Sequence, residues 1–297
     1  MKKGSITKST LFLALIYACF SMPLVAQTAA DKQIILNAKW EKTKVRRGLM
    51  WQHFHFSEKQ LFQSNQNIHY LKIKNKRCHW QFQLVSAGDS LYKTSDLAAK
   101  SGAIAAVNGS FFDVKKGGAV DFIKIDGQTL DSSVLDAKGR LSFHQKSAIA
   151  LHNYKVSIER QTDSSDVKFA EKLSAENVLV TGPLLLWRGD STPLSKIAFV
   201  DNRHPRTCAC VTEKNDLILL TADGRTPQAQ GLNLHELAFL MKTLGCRDAV
   251  NLDGGGSTTM YISGQPANGV VNMPCDNKLF DHEGERKVSN ILVLKKK

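Results

Sequence analysis

Residues 249–262 read "AVNLDGGGSTTMYI". A short apolar run ends on Asp253; Gly254, Gly255 and Gly256 follow, then Ser257, Thr258 and Thr259. A carboxylate at a strand end can act as base, nucleophile or electrostatic anchor. Glycines beside it tolerate positive φ and let a ligand approach the backbone. Successive N–H groups in such a loop can cup an anion, and the hydroxyls add donors. That is equipment for holding a phosphate or a sugar ring against a carboxylate. The same residues would equally make a tight loop between two strands, with Asp253 satisfying nearby amides. No lysine follows the glycines, so this is not a Walker loop, and their spacing is not that of a dinucleotide fingerprint.

Other stretches carry the same kind of residues. "TADGRTP" (221–227) places Asp223 and Arg225 around a glycine; alone, it would read as an Asp-Gly turn. "DNRHPRTC" (201–208) holds Arg203, His204 and Arg206 just before a strand. A guanidinium fork matches two phosphate oxygens, although any single arginine can equally belong to a solvated loop. "VNGSFFD" (107–113) offers Asn108 for a sugar hydroxyl, with Phe111 and Phe112 either stacking on a sugar or filling core. Glu236 could move a proton, or simply cap a helix. His53 and His55 share a strand face without a third metal ligand nearby. Cys208 and Cys210 have no partners at zinc-like spacing. No serine-hydrolase or zincin signature appears. The sequence therefore implies no cofactor and no catalytic metal, and leaves a structural metal open.

These residues need a scaffold. Period-2 alternation marks "IHYLKIK" (68–74) and "HWQFQLVSA" (79–87) as half-buried strands. Buried strands are expected in 103–113, 147–159, 177–190, 207–225, 249–253 and 289–296, with a hairpin around Asp126-Gly127. One helix is well specified: "NLHELAFLMKTLG" (233–245) opens on Asn233 with Glu236 in capping-box position and closes on Gly245. A second is expected over 93–102. Many strands with a few packed helices mean an α+β fold, a mixed and mostly antiparallel sheet, in a single domain.

"MKKGSITKSTLFLALIYACFSMPLVAQ" has a basic start, a short apolar run and small Ala26, which reads as an export signal over residues 1–26. Residues 27–90 then form strands leading into a domain over 91–297. Cys19 could in principle take a lipid, but Tyr17 and the apolar residues after it argue against this. No other segment is apolar enough to span a membrane. Loss of Lys2, Lys3 and Lys8 with the leader would still leave a basic chain, since the whole sequence carries +13. Such a protein suits anionic partners. The scattered basic residues and absent recognition motifs exclude nucleic acid as the favoured one. Five cysteines follow the leader, so at least one is unpaired; Cys208 and Cys210 read as small buried strand residues, with one long-range disulfide left open.

"AAVNGSFFD", "LVTGPLLLWRGD", "RHPRTCACV", "LILLTADGR", "GLNLHELAFLMKTLGCRDAVNLDGGGSTTMYI" and "RKVSNILVL" occur in this order. Together they resemble the phosphodiester glycosidase family over roughly residues 100–295. The resemblance implies a hydrolase that breaks a sugar–phosphate bond within a phosphodiester-linked glycan; the leader-like start implies that it is exported, periplasmic or extracellular. Carried onto this chain, it makes Asp253 the central carboxylate, with Asp223 and Glu236 as further catalytic candidates. Asn108, Arg206, Arg225, Gly254, Gly255, Ser257 and Thr258 would bind substrate. Two other readings use the same residues: a binder of anionic cell-surface polysaccharide, and a phosphodiesterase that cuts at phosphorus.

Overall fold

In a strand, successive side chains point to opposite faces. The run "RTCACVT" therefore sends Cys208 and Cys210 one way and Ala209 and Val211 the other, and all four are buried. Such a strand must lie inside a sheet covered on both sides. The computed structural model, which describes residues 24–74, 80–152 and 155–297, bears this out. The expected leader, Cys19 included, lies almost wholly outside the described residues, as does Cys78.

The central sheet has eight strands, ordered Glu41–Arg46, Leu49–Leu61, Ser64–Ile73, Leu217–Ala222, Arg206–Thr212, Cys246–Asn251, Leu184–Trp187 and Asp190–Ser191. Three strands from the early part of the chain, Glu41–Arg46, Leu49–Leu61 and Ser64–Ile73, are thus integral to it. One face packs Cys208, Ile218, Leu220 and Ala249 under the helix Leu234–Thr243 and Ile35 of the helix Leu24–Asn37. The other face packs Ala209, Val211, Leu219 and Val250 against Val107, Ile149, Leu179 and Leu292. These last come from a four-stranded sheet (Met260–Ile262, Ala105–Asn108, Asn290–Lys296, Trp80–Ser86) and a five-stranded one (Lys155–Arg160, Ser147–His152, Asn177–Val180, Ile123–Ile125, Gln128–Asp131). Every strand pair in these three sheets is antiparallel. With four α-helices among the described residues, the fold is α+β, as the strand and helix patterns imply.

The capped helix forms as its sequence requires: Asn233 Oδ1 accepts from Glu236 N at 2.8 Å, and a Glu236 carboxylate oxygen accepts from Asn233 N at 3.0 Å. Three expectations need correction. The run 147–159 is a hairpin, Ser147–His152 with Lys155–Arg160. The run 177–190 breaks at Gly182–Pro183, because proline brings no N–H to the ladder. A helix, Leu24–Asn37, stands at the start of the segment expected to be strands; its buried Asp31 accepts from Phe62 N at 3.0 Å.

The inner face changes character along its strands. Leu217 and Leu219 give way to Thr221 and Asp223, Ile73 and Leu71 to His69 and Asn67, and Ala209 to Thr207. The apolar core thus ends in a polar rim, and the candidate site stands there.

Cys210 is disulfide-bonded to Cys246 on the adjacent strand, the long-range bridge that the sequence left open; Cys208 stays unpaired and buried. The bridge spans a sequence separation of 36 residues. Replacing both cysteines by serine is expected to lower the unfolding free energy by roughly 3–4 kcal/mol, read by urea denaturation. An unchanged midpoint would show that the bridge does not constrain the chain.

Candidate functional site

The strand Cys246–Asn251 delivers Asp253 to the polar rim. Its backbone is fixed from both sides: Asp253 N donates to Gly109 O at 3.0 Å, and Asn108 Nδ2 donates to Asp253 O at 2.7 Å. The carboxylate is half-buried and accepts from Gly254 N at 2.8 Å. Burial pushes its pKa up to about 6. Ser257, the Gly254 amide and Arg286 act against that rise, while Asp121 adds to it. Ser257 Oγ and Thr258 Oγ1 are buried close by, with no protein partner in good hydrogen-bond geometry.

The glycines are needed for space. A Cβ on Gly255, which has φ +63°, would lie 2.9 Å from an Arg225 guanidinium nitrogen. One on Gly256 would strike the Asp276–Arg286 ion pair. Two guanidinium groups thus lie against the loop that carries Asp253. Arg225 is exposed and sits beside the buried Cys275 thiol, while Arg286 is tied to Asp276 at 2.6 Å. His204 is near enough to Arg206 and Arg225 that they add to the effect of burial in lowering its pKa.

Asp223 lies deeper. Asn272 Nδ2 and Asn67 Nδ2 each donate to it at 2.7 Å, and Met273 N at 3.0 Å. Burial still dominates, and its pKa is pushed up to about 7. Through Asn272 and Met273 it fastens the segment that leads to Cys275 and Asp276. His69 Nε2 stands 3.6 Å from Asp223 and stacks on His53. Burial first, then His53, His282 and His55, hold His69 well below the usual histidine pKa.

Asp253, Asp223, Arg225, Gly254, Gly255, Ser257 and Thr258 therefore come together. Asn108 lies beneath them, with its side chain fully engaged: Oδ1 accepts from Thr207 Oγ1 at 2.7 Å and from Thr259 N at 3.2 Å. Arg206 is turned the other way. It is 1% exposed, its guanidinium donates to the carbonyls of Leu232, Phe199 and Asn202, and it lies over the Phe199 ring. Glu236 caps its helix and pairs with Arg203, so its oxygens are already occupied. Residue-by-residue reading passed over Arg286, Asp276, Asn272 and Asp121. Arg286 could have been flagged, since it opens the matching stretch "RKVSNILVL"; the others stand in no motif.

Among the described residues, no cluster of three or more histidine, cysteine or acidic side chains could hold a metal ion. The site is thus a half-buried carboxylate on a glycine loop, with two guanidinium groups against that loop, on an antiparallel α+β scaffold. Residues 101–295 match the phosphodiester glycosidase model, and the chain belongs to that family. It is 28% identical over 177 residues to mouse N-acetylglucosamine-1-phosphodiester alpha-N-acetylglucosaminidase, a match covering 57% of this chain and 34% of that enzyme. The human enzyme is 41% identical over 66 residues, 22% of this chain and 13% of its own length. The chain thus spans about a third or less of these relatives. Among solved structures, the zebrafish enzyme's catalytic domain, auto-inhibited by pro-peptide, superposes with TM-score 0.64 at 19% identity, covering 88% of this chain and 89% of that one. A hypothetical protein from Synechocystis gives TM-score 0.65 at 15% identity, covering 88% and 64%.

Asp223 and Asp253 bind protons more tightly folded than at the ordinary value of 3.8. Their contribution to stability is fullest below pH 3.8 and is lost as pH rises through about 6 for Asp253 and about 7 for Asp223. Asp223→Asn is expected to flatten the fall of unfolding free energy across that window, measured by urea titration at stepped pH. A slope equal to the wild type's would contradict this.

Proposed function

We propose that this chain is an exported hydrolase that breaks the bond between an anomeric carbon and a phosphate oxygen in a sugar-1-phosphodiester. The observation that carries the reading is Asp253 on a glycine loop overlaid by Arg225 and Arg286. A phosphodiester already leaves readily as an anion, so the enzyme's task is to stabilise charge in two places. The developing oxocarbenium-like carbon needs a negative neighbour, and Asp253 is that group. The departing phosphate needs positive charge, and Arg225 supplies it, with Arg286 set between phosphate and Asp276. Water supplies the new hydroxyl on the sugar, and a phosphate monoester leaves. Ser257 and Thr258 offer buried hydroxyls to the same ligand, and Gly254 and Gly255 let it approach. Asn108 positions the loop. Asp223 positions the segment running to Cys275 and Asp276. Arg206 and Glu236 we assign to the architecture, since their polar atoms have internal partners.

The substrate class follows from the family, whose named animal members act on N-acetylglucosamine-1-phosphodiesters. For this basic chain we assign a phosphodiester-linked glycan. Export is supported by the leader-like start and by the Cys210–Cys246 disulfide, a bond that persists in oxidising compartments. Among the described residues no helix is long and apolar enough to cross a membrane.

Asp253→Asn is expected to lower kcat on a hexose-1-phosphodiester by about 10³-fold or more, with thermal unfolding close to wild type. Arg225→Ala should lower kcat as well as raise KM, because the phosphate it meets gains negative charge as it departs. Undiminished turnover by Asp253→Asn would sink the assignment.

A further inference from the structure

Asp121 lies just ahead of the strand Ile123–Ile125 and is fully buried. A buried carboxylate must be paired or bonded, because losing water disfavours its charge. Its Oδ1 accepts from Gln145 Nε2 at 3.0 Å and stands 3.2 Å from His144 Nε2, while Oδ2 is buried with no partner. His144 is 19% exposed, and its ring lies 4.5 Å from that of Phe111. Ser142 Oγ stands 2.9 Å from His144 Nδ1 and 3.3 Å from Nε2. A proton on Nε2 satisfies Asp121, which leaves Nδ1 to accept from the Ser142 hydroxyl; the partners decide this tautomer.

A short chain of contacts links this group to Asp253. The His144 carbonyl packs against Gly182, where a Cβ would lie 2.5 Å from it. Gly182 O accepts from Asn251 Nδ2 at 2.9 Å, two residues before Asp253. Phe111 follows Gly109, whose carbonyl accepts from Asp253 N at 3.0 Å. The charge of Asp121 reaches Asp253 and opposes its ionisation.

We propose that Asp121, His144 and Ser142 form a proton relay for the Asp253 site, with His144 taking up the proton of the attacking water. This rests on the glycosidase reading above. The water oxygen bonds to the anomeric carbon as that carbon's bond to the phosphate oxygen breaks, and the electron pair leaves on the phosphate. Ser142 Oγ receives the water's proton while its own passes to His144 Nδ1. Asp121 is a positioning residue: it fixes the ring's orientation and faces the imidazolium that forms, as an aspartate does behind a catalytic histidine. Asp253 then remains ionised beside the carbon that carries positive charge.

The test is steady-state kinetics of wild type, His144→Ala and Asp121→Asn on an aryl hexose-1-phosphodiester, with and without added imidazole. For His144→Ala, kcat should fall by about 10²-fold or more with KM nearly unchanged, and imidazole should restore part of it. Asp121→Asn should lower kcat less, without rescue. Should His144→Ala fail to fold, His144→Gln keeps a polar group against Asp121 and carries the same comparison. Wild-type kcat in the histidine variant, or a loss that imidazole leaves untouched, would overturn the relay alone. Absence of turnover by the wild type would overturn the glycosidase reading, and the relay with it.

Discussion

The side-chain amide of Asn108 holds the site together. It ends the strand Ala105–Asn108 in one sheet, accepts from Thr207 of the central sheet, and bonds both ends of the glycine loop, at Asp253 O and Thr259 N. Two sheets and the loop are thereby fixed to one planar group with no exposed surface. No other side chain of similar size offers a donor pair and an acceptor in that geometry. An aspartate there would set a carboxylate oxygen against the Asp253 carbonyl. The glycine loop, freed of side chains, can then lie under two guanidinium groups without moving Asp253.

Burial and charge act in opposite directions at this rim. Burial raises the pKa of Asp253, while Arg286 and the Gly254 amide favour its ionised form. The result is a carboxylate whose pKa stands at about 6, above the usual carboxylate value. Asp223 is raised further, to about 7, although three donors serve it. Its neighbour His69 is pushed the other way. The cause is common to both: the inner face of the central sheet ends in polar groups before it reaches open solvent.

Much of this was readable in the chain, and the rest was hidden for identifiable reasons. Alternation revealed the strands, and Asn233 with Glu236 announced the helix, because both signals are local. The Asp253 loop was visible as a composition that suits a tight turn and a site equally, and only the family resemblance favoured the site. Arg206 and Arg225 look alike as residue types, yet only Arg225 reaches the loop. Alternation explains the difference: Arg206 shares its strand face with Cys208 and Cys210, which look toward the helices, while Thr207 looks toward Asn108. The Asp276–Arg286 pair over Gly256, and Asp121 beside His144, join positions from separate turns. No local pattern reports which turns will meet.

The proposed chemistry places bond breaking at carbon, because the carboxylate sits on the glycine loop and the guanidinium groups are left for the phosphate. Hydrolysis of a hexose-1-phosphodiester in oxygen-18 water, with mass analysis of both products, tests this directly. The label is expected on the anomeric hydroxyl of the released sugar. Label in the phosphate monoester would mean attack at phosphorus, and would contradict the role given to Asp253.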